Sequence, residues 1–105
     1  MSKENVVEQL QENIKVIYRK AVDADKQLEL LRSDKKASFA QIFSSDTIFT
    51  NHATTFLPYV EELVADLLAI QEDTDDNYKA LLPAIVTKIE LLFKMLEAFS
   101  KNLKD

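Results

Sequence analysis

The stretch from Tyr78 to Leu103 decides the fold of this chain, and it reads YKALLPAIVTKIELLFKMLEAFSKNL. Apolar residues recur along it in alternating steps of four and three, at Tyr78, Leu82, Ile85, Ile89, Leu92, Leu96, Phe99 and Leu103. An α-helix turns once every 3.6 residues, so this spacing places all of these side chains on one face. The stretch therefore predicts a long amphipathic helix that ends near Asn102. Pro83 lies early in it and allows a start several residues after Asp75.

Two earlier stretches repeat the same apolar spacing. One stripe consists of Val7, Leu10, Ile14, Ile17, Ala21, Ala24, Leu28 and Leu31. The other consists of Phe49, Ala53, Phe56, Val60, Leu63, Leu67 and Ile70. Three apolar stripes with nothing else to cover them must pack on one another. The sequence thus predicts an all-α fold, an antiparallel bundle of three long helices that forms one domain over residues 1–105.

The connection between the first two helices offers further local signals. The first helix is expected to run from near Ser2 to about Arg32. After it, residues 37–43 (ASFAQIF) allow a short helix that would place three apolar side chains under the end of the bundle. These three side chains belong to Phe39, Ile42 and Phe43.

The second helix is expected to open at the N-cap cluster of residues 44–46 (SSD) and to run to about Gln71. Pro58 then falls inside it and would kink or delay it. A second apolar row beside the main stripe is formed by Leu57, Val64 and Leu68. We expect this row to lie mostly in the core, and the alternative is a docking face for another protein.

Composition excludes several classes of site. The 105 residues include no glycine and no cysteine. Phosphate-binding loops need glycine for close backbone approach, and disulfides, thiolate nucleophiles and Cys-ligated zinc need cysteine. The chain also lacks an apolar signal core and a run of 18 apolar residues. We predict a non-enzymatic cytoplasmic protein with no catalytic residue, metal or cofactor and no membrane association.

Charge is distributed unevenly along the chain. Residues 41–77 carry eight Asp or Glu and no Lys or Arg, within a formal net charge of −5 for the whole chain. Only Arg19 and Arg32 are arginines. Nucleic-acid binding requires a basic stripe that neutralises phosphates. We therefore expect weak direct DNA binding or none.

His52, the only histidine, raises one alternative function. A surface histidine on a helical bundle can be the phosphoacceptor of a phosphotransfer domain, in which Lys and Gly usually follow at the third and fourth positions. Thr55 and Phe56 occupy those positions here. An ordinary surface histidine is the simpler interpretation.

An acidic stretch after the second helix resembles the start of a calcium loop. Asp73, Asp75 and Asn77 match its first three ligand positions, but Tyr78 stands at the position of the required glycine and Ala84 at that of the final glutamate. The sequence predicts no calcium site here.

Residues 48–70, IFTNHATTFLPYVEELVADLLAI, carry a resemblance to a known family, and residues 48–56 are its most specific part. The stretch resembles part of the bacterial primosomal replication protein PriC (replication protein N″), where a Leu-Phe pair precedes an Ala-Thr-Thr-Leu run, an acidic residue and a Leu-rich helix end. The flanking long first helix and the Lys88–Ala98 segment agree in kind, so the resemblance spans roughly residues 6–100.

The resemblance implies a role in DNA replication restart. Such proteins help to load the replicative helicase at stalled forks, in cooperation with single-stranded DNA-binding protein. Family members are longer, and their Arg-rich C-terminal half looks like the DNA-binding part. On this interpretation the chain corresponds to the N-terminal domain. Its expected partner is the replicative helicase, with single-stranded DNA-binding protein contacted through the C-terminal part. An unrelated helical adaptor or chaperone bundle is the other interpretation.

The candidate partner-binding residues follow from the resemblance. We associate an arginine with the family just before the connecting phenylalanine, whereas Ile42 precedes Phe43 here. Arg32, Lys35 and Lys36 are the nearest bases, and they either take that role or belong to a solvated loop. With Phe43 they form the candidate site.

Overall fold

A computed structural model describes residues 3–31, 55–73 and 78–103 of the chain. These residues form three α-helices, α1 (Lys3–Leu30), α2 (Leu57–Glu72) and α3 (Tyr78–Leu103), and include no strand. The all-α bundle predicted from the apolar spacing is confirmed. The expected ends of the first helix lie within two residues of the observed ones, and α3 begins at Tyr78 with Pro83 inside it.

The apolar stripes form the core. Side chains from all three helices make one buried cluster that includes Ile17, Leu63 and Leu92, each with no exposed surface. The predicted stripe members Val7, Leu31 and Leu82 are half-buried and pack against this cluster. The core extends beyond the prediction, because Met95 is also buried. Helical phase accounts for this, since Met95 lies three residues after Leu92 on an adjoining strip of α3.

Contacts at the two ends of the bundle show how the helices are arranged. At one end, residues near the end of α1 lie by the start of α2, and Phe56 contacts Phe99 near the end of α3. The two rings are 5.5 Å apart between centroids and meet edge to face at 66°. At the other end, the Lys3 ammonium lies 5.5 Å from the centre of the Tyr78 ring at the start of α3.

The N-terminus of α2 is held by a carboxylate from α1. The Phe56 N–H donates to Asp25 Oδ1 at 2.7 Å, and the Leu57 N–H donates to Asp25 Oδ2 at 3.0 Å. The first N–H groups of a helix have no partner within the helix, and the N-terminal end of its dipole attracts negative charge. Phe56, at the N-cap position, supplies no side-chain hydrogen bond of its own. Asp25 therefore caps a helix to which it does not belong.

The C-terminus of α2 is held by a cation from α1, the helix that also supplies Asp25. Lys3 Nζ donates to the backbone carbonyl of Gln71 at 3.4 Å and also to that of Asp73. The last carbonyls of a helix lack intrahelical donors and carry the negative end of its dipole. Helix α1 thus satisfies both ends of α2 with the sign of charge that each end favours.

Among the described residues, the second helix begins only at Leu57, which agrees with the predicted delay at Pro58. Thr55 and Phe56 form a bend, and α2 begins at Leu57 with Pro58 in its first turn. Proline is tolerated there because the first N–H groups need no intrahelical acceptor. A continuous helix from residue 44 through Pro58 is therefore excluded, and the proposed cap at residues 44–46 lies outside the described residues, as do the short helix over 37–43 and the stripe members Phe49 and Ala53.

Candidate interaction surface

The residues predicted from the resemblance to bind a partner are not among those described. Arg32, Lys35, Lys36 and Phe43 all lie between α1 and Thr55, outside the described residues. His52, the residue that raises the phosphotransfer alternative, lies outside them as well. The part of the resembling segment that is described, residues 55–70, leads through the bend into α2.

Helix α2 has a buried face and an exposed face with different residues. Its buried face includes Tyr59, Val60, Leu63, Leu67 and Ile70. Its exposed face carries Glu61, Val64, Ala65, Leu68, Ala69, Gln71 and Glu72. The exposed positions 61, 65, 68 and 72 follow helical spacing, so they form a continuous strip along the helix.

The second apolar row of α2 is only partly in the core. Leu57 is half-buried and packs against the core cluster. Val64 is 42% exposed and Leu68 is 51% exposed, so the expectation that the row lies mostly in the core is wrong for these two. They lie four residues apart on α2, and their helical phase turns them away from Leu63. We call the strip formed by Glu61, Val64, Ala65, Leu68, Ala69 and Glu72 the outer face of α2.

Apolar exposure also occurs on the other helices. Among large apolar side chains of the other two helices, those more than two fifths exposed are Val16, Tyr18 and Leu30 of α1 and Leu81 and Val86 of α3. Single exposed apolar residues are normal on protein surfaces. What distinguishes the outer face of α2 is that it combines two large apolar side chains with two alanines on one strip.

A buried ion network joins α2 to α3. Lys88 Nζ lies 2.8 Å from Glu62 Oε2 and 2.7 Å from Asp66 Oδ2. The side chains of Glu62 and Lys88 are 7% and 11% exposed, whereas that of Asp66 is 33% exposed. Glu62 and Asp66 are one helical turn apart, so both carboxylates reach the same ammonium. The network satisfies charged groups that would otherwise be costly to bury.

The charge of Lys88 is favoured by this network. Burial alone lowers the pKa of Lys88, because it disfavours the charged form. The hydrogen bonds and negative charges of Asp66 and Glu62 act in the opposite direction and outweigh burial, so the pKa of Lys88 is raised above its ordinary value. Lys88 is therefore a permanently charged structural group at neutral pH. The role of Lys88 was not predicted from the sequence. The usable signal was the pair of carboxylates Glu62 and Asp66, which are four residues apart among the apolar residues of α2.

A groove of about 510 Å³ lies between α1 and α3. Its floor includes Ala24, Phe93, Leu96 and Phe99. The rim carries charges of both signs, from Lys20, Asp23, Glu97 and Lys101. The Lys20 ammonium lies 5.9 Å from the centre of the Phe93 ring and covers part of the apolar floor. This mixed rim selects neither an anionic nor a cationic ligand.

The described residues show neither a metal cluster nor a membrane span. Across residues 3–31, 55–73 and 78–103, no group of three or more His, Cys, Asp or Glu side chains is arranged to hold a metal ion. Within the same ranges, none of the helices has both the length and the apolar character needed to cross a bilayer.

Comparison with known proteins leaves the family open. No protein-family model, no curated protein and no solved structure matches this chain. The features of the chain that bear on its function are the segment at residues 48–70 and the exposed surface of α2.

Proposed function

We propose that this chain is a non-enzymatic protein-interaction domain of bacterial DNA replication restart, which acts in the cytoplasm and helps to load the replicative helicase at stalled forks. The observation that supports it is the position of the PriC-like segment in the bundle. The described part of that segment supplies the bend and most of α2, whose inner side is core and whose outer side exposes Val64 and Leu68. Helical bundles bind other proteins through such partly apolar helix faces.

The charge of α2 supports a protein partner over DNA. The helix contains Glu61, Glu62, Asp66 and Glu72 but no lysine or arginine. Phosphate groups would be repelled by Glu61 and Glu72 on its exposed face. A direct role in holding single-stranded DNA is thus disfavoured for this helix, whereas contact with a helicase subunit is compatible with it.

The experiment is a titration of the fluorescently labelled chain with the replicative helicase of the source bacterium, with a single-stranded oligonucleotide titrated in parallel. Saturable binding to the helicase and none to DNA is the expected result. Binding to DNA alone, or to neither, would overturn the proposal. A helicase-loading assay on a forked template then tests the role itself, and loading that does not respond to the added chain would also overturn it.

The connection after α1 is the first place to substitute in that experiment. Alanine replaces Arg32, Lys35 and Lys36 together in the test variant. The matched control removes three exposed bases from α1, at Lys15, Arg19 and Lys26. Both variants lose the same charge, so a weakening confined to the first one assigns helicase contact to the connection. Phe43→Ala in a separate variant tests the apolar member of the candidate site.

A further inference from the structure

The outer face of α2 has the features of a helix-binding strip. Val64 and Leu68 project as two large apolar side chains, while Ala65 and Ala69 leave shallow positions beside them. Small residues next to large ones let a second helix approach closely, because its own side chains fill the shallow positions. The outer face of α2 can therefore accommodate a second helix packed against it.

Charge at both ends of this strip limits the choice of partner. Glu61 precedes the apolar residues and Glu72 follows them, and both are exposed. They are separated by 11 positions in the sequence, which is about 16 Å at about 1.5 Å per residue. Lys88 is paired with Glu62 and Asp66 on the side of α2 that faces α3, and Lys3 donates to the backbone carbonyls of Gln71 and Asp73 at the end of the helix. No base of α2 itself offsets the two carboxylates, since the helix has none.

We propose that the outer face of α2 binds an amphipathic helix of a partner protein whose apolar stripe is bordered by lysine or arginine about three turns apart. The apolar stripe packs on Val64 and Leu68 over the alanines, and the basic side chains reach Glu61 and Glu72. The inference deepens the proposed function and rests on it only in taking the partner to be a protein.

The probe is an 18-residue synthetic helix of leucine and alanine on one face with lysine along both borders. A second peptide replaces every lysine with glutamate and keeps the apolar stripe. Fluorescence anisotropy measures the binding of each peptide to the full chain. We expect saturable binding of the lysine peptide and none of the glutamate peptide, because opposite charge at the rim favours encounter and like charge opposes it. Equal binding of both peptides would overturn the proposal.

Matched apolar variants locate the binding site. Val64→Thr with Leu68→Gln removes the apolar contacts of the outer face without a change of charge. Val86→Thr with Leu81→Gln makes the same replacements on α3, where the two residues are 42% and 43% exposed. The first variant should weaken binding of the lysine peptide by about tenfold, and the second by less than about twofold. Equal affinities of the two variants would overturn the proposal.

Matched charge variants test the rim. Glu61→Gln with Glu72→Gln should weaken binding several-fold and reduce its dependence on salt, since two interfacial charges are lost. Glu90→Gln with Glu97→Gln removes the same charge from exposed positions of α3 and should have little effect. If both pairs act alike, the attraction comes from net charge and the assignment to α2 fails.

Two further outcomes separate this inference from the proposed function. Helicase binding that is unchanged by Val64→Thr with Leu68→Gln would remove the outer face as the docking site and leave the proposed function standing. Peptide binding on α2 without helicase binding would support the outer face as a helix-binding site and overturn the proposed function. If light scattering shows a dimer that the same variant dissociates, the occupant is a second copy of the chain, and the basic-helix proposal is overturned.

Discussion

Replacing Lys88 with methionine tests whether the buried ion network holds α2 and α3 together. Lys88→Met removes the ammonium from between Glu62 and Asp66 and keeps an unbranched side chain that α3 can accommodate. Two carboxylates then lose the cation that lies 2.8 and 2.7 Å from them. The exposure of each carboxylate to water decides how much the loss of the ammonium lowers the free energy of unfolding.

The magnitude follows from the exposure of the two carboxylates. Asp66 is one third exposed, so water can take the place of the ammonium and its part of the loss is below about 1 kcal/mol. Glu62 is 7% exposed and has little access to water. Removing one partner of a buried ion pair typically costs about 3–5 kcal/mol. We expect Lys88→Met to lower the free energy of unfolding by about that amount, which is a large part of the total for a small domain.

Urea denaturation followed by circular dichroism measures the change. Lys79→Met is the matched control, because it removes an exposed lysine from the same helix and should change stability by less than about 0.5 kcal/mol. A double variant that adds Glu62→Gln to Lys88→Met should recover a large part of the loss, since the stranded buried charge is gone. A loss below about 1 kcal/mol in Lys88→Met, or no recovery in the double variant, would refute this account of the network.

Three further predictions concern the cap, the core and pH. Asp25→Ala should lower the free energy of unfolding by about 1–2 kcal/mol through the loss of the α2 cap, whereas exposed Asp23→Ala should change it by less than about 0.5 kcal/mol, both measured in urea. Leu63→Ala should cost about 2–5 kcal/mol and Leu68→Ala clearly less, because Leu63 has no exposed surface; similar values in thermal unfolding would contradict the assigned faces of α2. Because the pKa of Lys88 is raised, its contribution to stability is complete below the ordinary lysine pKa and is lost as the pH rises through the raised value, so the stability gap between wild type and Lys88→Met should narrow at alkaline pH.

The core could be predicted from sequence because helical periodicity is a local property. Each apolar stripe identifies the side of its helix that avoids water, and Ile17, Leu63 and Leu92 lie at the centre of the core as their phase predicts. Local periodicity does not, however, decide how wide the buried strip becomes. Val64 and Leu68 continue the apolar row of α2 and yet are 42% and 51% exposed.

Features that depend on distant partners could not be predicted in the same way. Asp25 caps a helix that begins more than 30 residues later, and its sequence neighbours show nothing of this role. The burial of Lys88 depends on where Glu62 and Asp66 lie across the α2–α3 contact. A local reading assigns such charged residues to solvated surfaces, because it contains no distances between helices.

The two attachments of α1 to the ends of α2 restrict how the length of this chain can vary. Lys3 and Asp25 hold opposite ends of α2, so their spacing along α1 sets which residues meet the two ends of α2. One inserted residue between them would turn Asp25 by about 100° around the helix axis and move it about 1.5 Å along it. A seven-residue insertion would nearly restore the direction but would shift the carboxylate by about 10 Å. Insertions and deletions in relatives of this fold should therefore be absent between the positions of Lys3 and Asp25. They should occur instead in segments that do not set the distance between two contacts with the same helix.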